Sequence, residues 1–137
     1  MGRILAIDYG KRRVGFAISD PEGRVAFPLD TLDTKRRNVF LYLREVYREK
    51  PFETVVIGKP PRKELLYDVN FLACFLRRNF GVNIVFWNEE YTSAEAEKIL
   101  KGMGTKITKK NKHLIDTLSA YIILCEYLGY KPVITAL

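Results

Sequence analysis

Long apolar runs are missing from this sequence. The longest, AYIILC at residues 120–125, has six residues, whereas a bilayer-spanning helix needs about 20. No membrane span is therefore expected. A leader is not expected either: one arginine and four apolar residues precede Asp8, too few for the apolar region of a secretory signal. Cysteine is scarce, with Cys74 and Cys125 the only two in 137 residues. Each sits among apolar neighbours in a helical pattern, which favours reduced core thiols over a disulfide or a metal pair. Repeats, low-complexity tracts and interdomain linkers are lacking too. These absences predict a single domain over residues 1–137, in the cytoplasm.

What is present suits a packed core. Apolar residues make up 47% of the chain, with eight Phe and eight Tyr, enough for a globular domain of this length. The formal net charge is +7 and the pI about 9.5. Such a balance favours polyanionic partners, nucleic acid first among them, although solubility alone is also served by it.

The first third of the chain reads as strands. RILAID (3–8) is a short, nearly continuous apolar run of the buried-strand kind. After the polar turn YGKRR, the segment VGFAISD (14–20) alternates, with Val14, Phe16 and Ile18 on one face. PEGR (21–24) is turn chemistry, and VAFPLDTL (25–32) is a third strand whose Pro28 suits a sheet edge. The period then changes. Residues 34–50 predict a helix with Val39, Phe40, Leu43, Val46 and Tyr47 on one side. A strand at 54–58, a helix at 63–81 stopped by Gly81, and a strand at 82–87 follow. Thr92 and Glu95 stand in capping-box spacing and open a helix over 92–104; a basic loop precedes a largely buried fourth helix at 113–128. The order is β-β-β-α-β-α-β-α-α. It predicts an α/β fold: a mixed five-stranded sheet, three strands antiparallel and two parallel, flanked by helices.

Most acids fall in helices or turns, where solvent accounts for them. Asp8 instead closes the first strand, Glu89 and Glu90 follow the fifth, and Asp116 lies in the first turn of the most apolar helix. Ligands of open α/β sheets bind in the crevice beyond the carboxyl ends of parallel strands. Ser119 and Ala120, three and four places past Asp116, share its face and are small enough to let the helix approach the sheet. Two carboxylates about 4 Å apart repel by roughly 4 kcal/mol at an effective dielectric near 20. A hard divalent cation reverses that repulsion, and one or two such ions serve phosphodiester hydrolysis. Each acid also has a plainer reading: Asp8 as a turn initiator, Glu89 and Glu90 as a solvated loop, Asp116 as a favourable charge near a helix start.

Four stretches together resemble the YqgF/RuvX family of pre-16S rRNA nucleases, also described as Holliday-junction-resolvase-like. They are the opening RILAIDYGKRRVGFAISDPEGRVAFPLDTL, VVIGKPP (55–61), WNEEYTSAEAEKIL (87–100) and IDTLSAYIILCEYL (115–128), in order over about 130 residues. The resemblance implies an RNase H-like fold. It implies a metal-dependent nuclease, with Asp8, Glu89 and Asp116 as catalytic acids holding Mg²⁺ or Mn²⁺. Precursor 16S ribosomal RNA, matured at its 5′ end, is the implied substrate. Branched DNA is the second, and resolving it requires a homodimer to cut two strands. The chain departs from the family pattern at Asn88, where Asp is usual, and at Glu90, where Arg is usual. The segment after GKPP is shorter and lacks the usual Gly-Ser.

Two basic clusters flank these positions. Lys11, Arg12 and Arg13 follow the Asp8 turn, and Lys106, Lys109, Lys110 and Lys112 populate the later loop. Both suit phosphate contacts that position a strand without reading its sequence; both also suit a solvated surface. His113 is the only histidine, and Tyr9 and Tyr91 flank the acids as stacking or packing residues. DYGKRRVGFAISD also resembles the first phosphate loop of actin-like ATPases, but the second domain those proteins need does not fit in 137 residues. A non-catalytic nucleic-acid-binding module is the third alternative, supported by Glu90.

Overall fold

The computed structural model describes residues 2–59, 63–88, 98 and 112–129. Strand β1 (Arg3–Tyr9) is apolar on both sides because both sides are covered: Leu5, Ala6 and Ile7 are fully buried. It turns back at Gly10, whose N–H donates to the Arg13 carbonyl at 3.0 Å, into β2 (Arg13–Ser19). A second tight turn leads to β3 (Ala26–Asp33). There the Asp20 carboxylate accepts from the N–H groups of Arg24 and Val25 at 2.7 and 2.9 Å, and Gly23 adopts φ 71°.

Helix α1 (Val39–Glu49), strand β4 (Phe52–Lys59), helix α2 (Leu66–Phe80) after one 3₁₀ turn, strand β5 (Asn83–Asn88) and helix α3 (Lys112–Leu128) complete the described elements. The sheet runs β3-β2-β1-β4-β5. β1 pairs antiparallel with β2 and β2 with β3, whereas β1–β4 and β4–β5 are parallel. This is the mixed sheet expected from the pattern, and β3, with Pro28, is an edge strand. The register of β2 against β3 shifts between Phe16 and Ala17, leaving Leu29 as an extra residue beside Pro28.

Each face of the sheet has its own core. Leu5, Ile7, Val14, Phe16 and Ile18 pack under α1 and α2, against Leu43, Leu72 and Leu76. The other face presents smaller residues, Ala6, Ala17 and Ala26, and α3 covers it with Leu118, Ile122 and Ile123. α3 is apolar nearly all round because it lies across β2, β3 and β1.

Several expectations are corrected. α1 begins at Val39 rather than Thr34. Residues 34–37 form a turn whose Arg36 and Arg37 N–H groups donate to the Asp33 carbonyl, and Asn38 caps the helix through its side chain. Tyr42 joins the buried side of α1, while Phe40 and Tyr47 are only partly buried. Cys74 is exposed, not a core thiol, because it stands two residues from both Leu72 and Leu76 and so points away from their stripe; Cys125 is buried. Asp116 is the fifth residue of α3, in its second turn, not its first. Gly81 ends α2 in the left-handed conformation, φ 65°, as its position suggested. The helix expected over 92–104 lies outside the described residues except for Lys98, which is helical.

Candidate active site

Asp8 is the next-to-last residue of β1 and only 9% exposed. Strand alternation places it on the same face as Ala6, the face that α3 covers. Its register partners are both glycines, Gly15 on β2 and Gly58 on β4. The row continues outward to Thr31 of β3 on one side and Trp87 of β5 on the other. A carboxylate thus sits in the sheet with no side chain on either adjoining strand at its level.

Gly15 decides where α3 goes. A Cβ at this position would lie 2.1 Å from the Asp116 carbonyl oxygen and 2.5 Å from its carbon. The helix backbone therefore occupies the space a side chain would fill, and Asp116 is brought against the residue that pairs with Asp8. Arg13, two residues before Gly15 on the same face of β2, donates from Nε to Asp116 Oδ2 at 2.7 Å. The hydroxyls of Thr31 and Thr117 hydrogen-bond one place further along. Ser119 and Ala120, expected to permit close approach, are fully buried; among the described residues the Ser119 hydroxyl finds no partner. Small side chains on the helix and glycine on the strand together produce the contact.

Asp8 and the backbone of Asp116, 108 positions apart, thus both adjoin Gly15. Glu89 and Glu90 lie outside the described residues; β5, parallel to β4 and β1, ends at Asn88 just before them. No group of three His, Cys, Asp or Glu able to hold a metal occurs among the described residues. Two carboxylates are hard oxygen donors of the kind Mg²⁺ and Mn²⁺ take.

The first basic cluster is not uniform. Lys11 and Arg12 are exposed, and Arg12 lies 3.6 Å from Asp33. The Asp33 carboxyl is held below its ordinary range, first by the Lys35 N–H and then by Arg12. Arg13 instead faces inward to Asp116, a role that reading the three cations as one phosphate-binding run does not reveal. The signal was there: Arg13, Gly15 and Ala17 share one face by period-two alternation. Lys106, Lys109 and Lys110 lie outside the described residues, and Lys112 is the first residue of α3. His113 follows it in that helix, and Tyr91 is outside. Tyr9 packs on the opposite face, against the α1–α2 core, where burial pushes its phenol pKa up. A cavity of about 200 Å³ opens there between Tyr9, Arg37, Phe40 and Leu72.

A family model described as "RuvX: Holliday junction resolvase" matches residues 2–130. A relative from Caldicellulosiruptor saccharolyticus, named "Putative pre-16S rRNA nuclease", is 33% identical over 135 residues, which are 93% of this chain and 97% of the relative. Among solved structures, a Fowlpox virus resolvase in complex with Holliday junction DNA superposes with a TM-score of 0.61 at 16% identity. The match covers 92% of this chain and 96% of that one. T. thermophilus RuvC in complex with a Holliday junction substrate gives 0.55 at 18% identity, over 97% and 100%. The two structural matches establish an RNase H-like fold for this chain.

Proposed function

This chain belongs to the RuvX family, and from that premise we propose that it is a nuclease that hydrolyses phosphodiester bonds in precursor 16S ribosomal RNA. The observation that carries the proposal is that Asp8 pairs with Gly15, the residue against which the Asp116 backbone packs. Two acids that adjoin one glycine offer the oxygen ligands that a divalent ion takes.

Asp8, Asp116 and Glu89 are the residues we assign to hold Mg²⁺ or Mn²⁺. When bound, the ion lowers the pKa of a water and stabilises charge on the leaving oxygen. The chain's own residues supply position. Asp8 is fixed by a strand buried on both faces. Asp116 is fixed by the contact of its backbone with Gly15. Lys11 and Arg12, exposed beside the turn, are placed to hold backbone phosphates without reading bases. Lys106, Lys109, Lys110 and Lys112 are assigned the same role from sequence. Branched DNA is the second substrate reading, favoured by the description of the matching family model; cutting two strands of a junction calls for two copies of the site.

The test incubates the purified protein with labelled precursor rRNA ends, plain single strands and four-way junctions, each with Mg²⁺, Mn²⁺ or chelator. Cutting of the rRNA precursor that needs the metal and disappears in Asp8→Asn is expected. Preferred cutting of the junction transfers the assignment to branched DNA. Cutting that survives both chelator and Asp8→Asn removes the metal site from the mechanism.

A further inference from the structure

Resting on the metal-site assignment above, we propose that Arg13 is an exchangeable counter-cation. It holds the Asp116 carboxylate while no divalent ion is bound, yields it when one binds, and turns its freed guanidinium to the substrate phosphate.

Four observations support this. The pair is close, 2.7 Å from Nε to Oδ2, and both side chains are shielded, at 33% and 23% exposure. The contact uses Nε alone. A guanidinium has five N–H donors in a planar fork, and among the described residues the two Nη groups of Arg13 have no other partner. The Asp116 backbone is held separately, by the Gly15 contact, so releasing its carboxylate leaves the helix in place. Finally, Arg13 is the member of its basic run that faces α3, since Lys11 and Arg12 are exposed on the surface.

A divalent ion needs oxygen from Asp116 and repels a guanidinium on the same carboxylate. Retaining both would make the ion and the guanidinium share one carboxylate. Exchange avoids this, and the bidentate fork suits phosphate oxygens well. The two events are then coupled: metal binding releases the group that grips the phosphate, so metal and nucleic acid strengthen each other's binding. Before the metal arrives, Arg13 balances the charge of this partly buried acid.

Mn²⁺ binding by calorimetry separates the possibilities. Arg13→Gln removes the competitor and is expected to bind Mn²⁺ on the order of tenfold more tightly than the wild type. Equal or weaker binding by a folded Arg13→Gln protein overturns the exchange. Failure of the wild type to bind Mn²⁺ overturns the metal assignment and the exchange with it. A second measurement needs no loss of stability: the Arg13 Nε–H resonance, assigned by its disappearance in Arg13→Lys. In the wild type it is expected to be protected from solvent exchange without metal and to lose that protection as Mg²⁺ saturates. A resonance still protected at saturating Mg²⁺ shows that Arg13 stays on Asp116 and ends this proposal while leaving the metal site intact.

Discussion

Gly15 is the residue on which the candidate site turns. Its missing side chain is the space that the Asp116 carbonyl fills, and the atom it would strike belongs to backbone, which cannot swing aside. Adding one methyl group must lift α3 from β2 or bend the strand. Gly15→Ala is therefore expected to cost about 1–3 kcal/mol, as overpacking of a tight contact does, read as a lower urea midpoint at unchanged m-value. It is also expected to displace Asp116 from its seat against β2 and so to weaken Mn²⁺ binding. Normal stability in Gly15→Ala would show that α3 sits further from the sheet than the Gly15 contact requires. The same logic gives Gly58 its place: with Gly15 it leaves Asp8 without a neighbouring side chain on either strand.

Turns and caps decide the elements more than propensity does. Lys35, Arg36 and Arg37 are good helix formers, so sequence pattern extends α1 back to Thr34. The structure resolves the conflict for the turn, because the Asp33 carbonyl binds two of their N–H groups and Asn38 supplies a true cap. Cys74 misleads for a different reason: its sequence neighbours Ala73 and Phe75 are apolar, but they lie to either side of it on the helix surface. The alternation of β2, the edge position of Pro28 and the stop at Gly81 were all legible, since each is a local property of a few residues. The Arg13–Asp116 pair was not, because pairing between charges 103 positions apart depends on the seating of α3. The β2–β3 hairpin carries its own pH dependence. Backbone N–H groups of Val25 and Arg24 hold the Asp20 carboxyl below its ordinary 3.8. A lowered folded-state pKa stabilises the fold above the unfolded value and loses that contribution as pH falls through the folded one. Wild type is thus expected to exceed Asp20→Asn in stability at neutral pH, the gap closing as acid is added below 3.8. Acid titrations of both proteins followed by circular dichroism check this; parallel curves throughout would remove Asp20 from the hairpin's stability.

At the scale of the whole molecule, charge and layering act together. The net charge of +7 gives nucleic-acid binding a strong salt dependence. If Lys11 and Arg12 each neutralise a phosphate, replacing both by Gln is expected to flatten the slope of log K against log salt by about 1.4 on single strands. Filter binding across a salt series measures it, and an unchanged slope would assign those two cations to solvent. The layering follows from side-chain size: bulky residues on one face of the sheet take two helices, alanines and glycine on the other take one helix drawn in close. The kink in β3 has a consequence for how copies of this protein meet. Pro28 offers no amide hydrogen, and the extra Leu29 throws the strand out of step with its neighbour. A strand from a second molecule would find no regular ladder to join along that border. Along that border, strand addition between copies is therefore disfavoured, and the protein is guarded on that side against stacking into fibres.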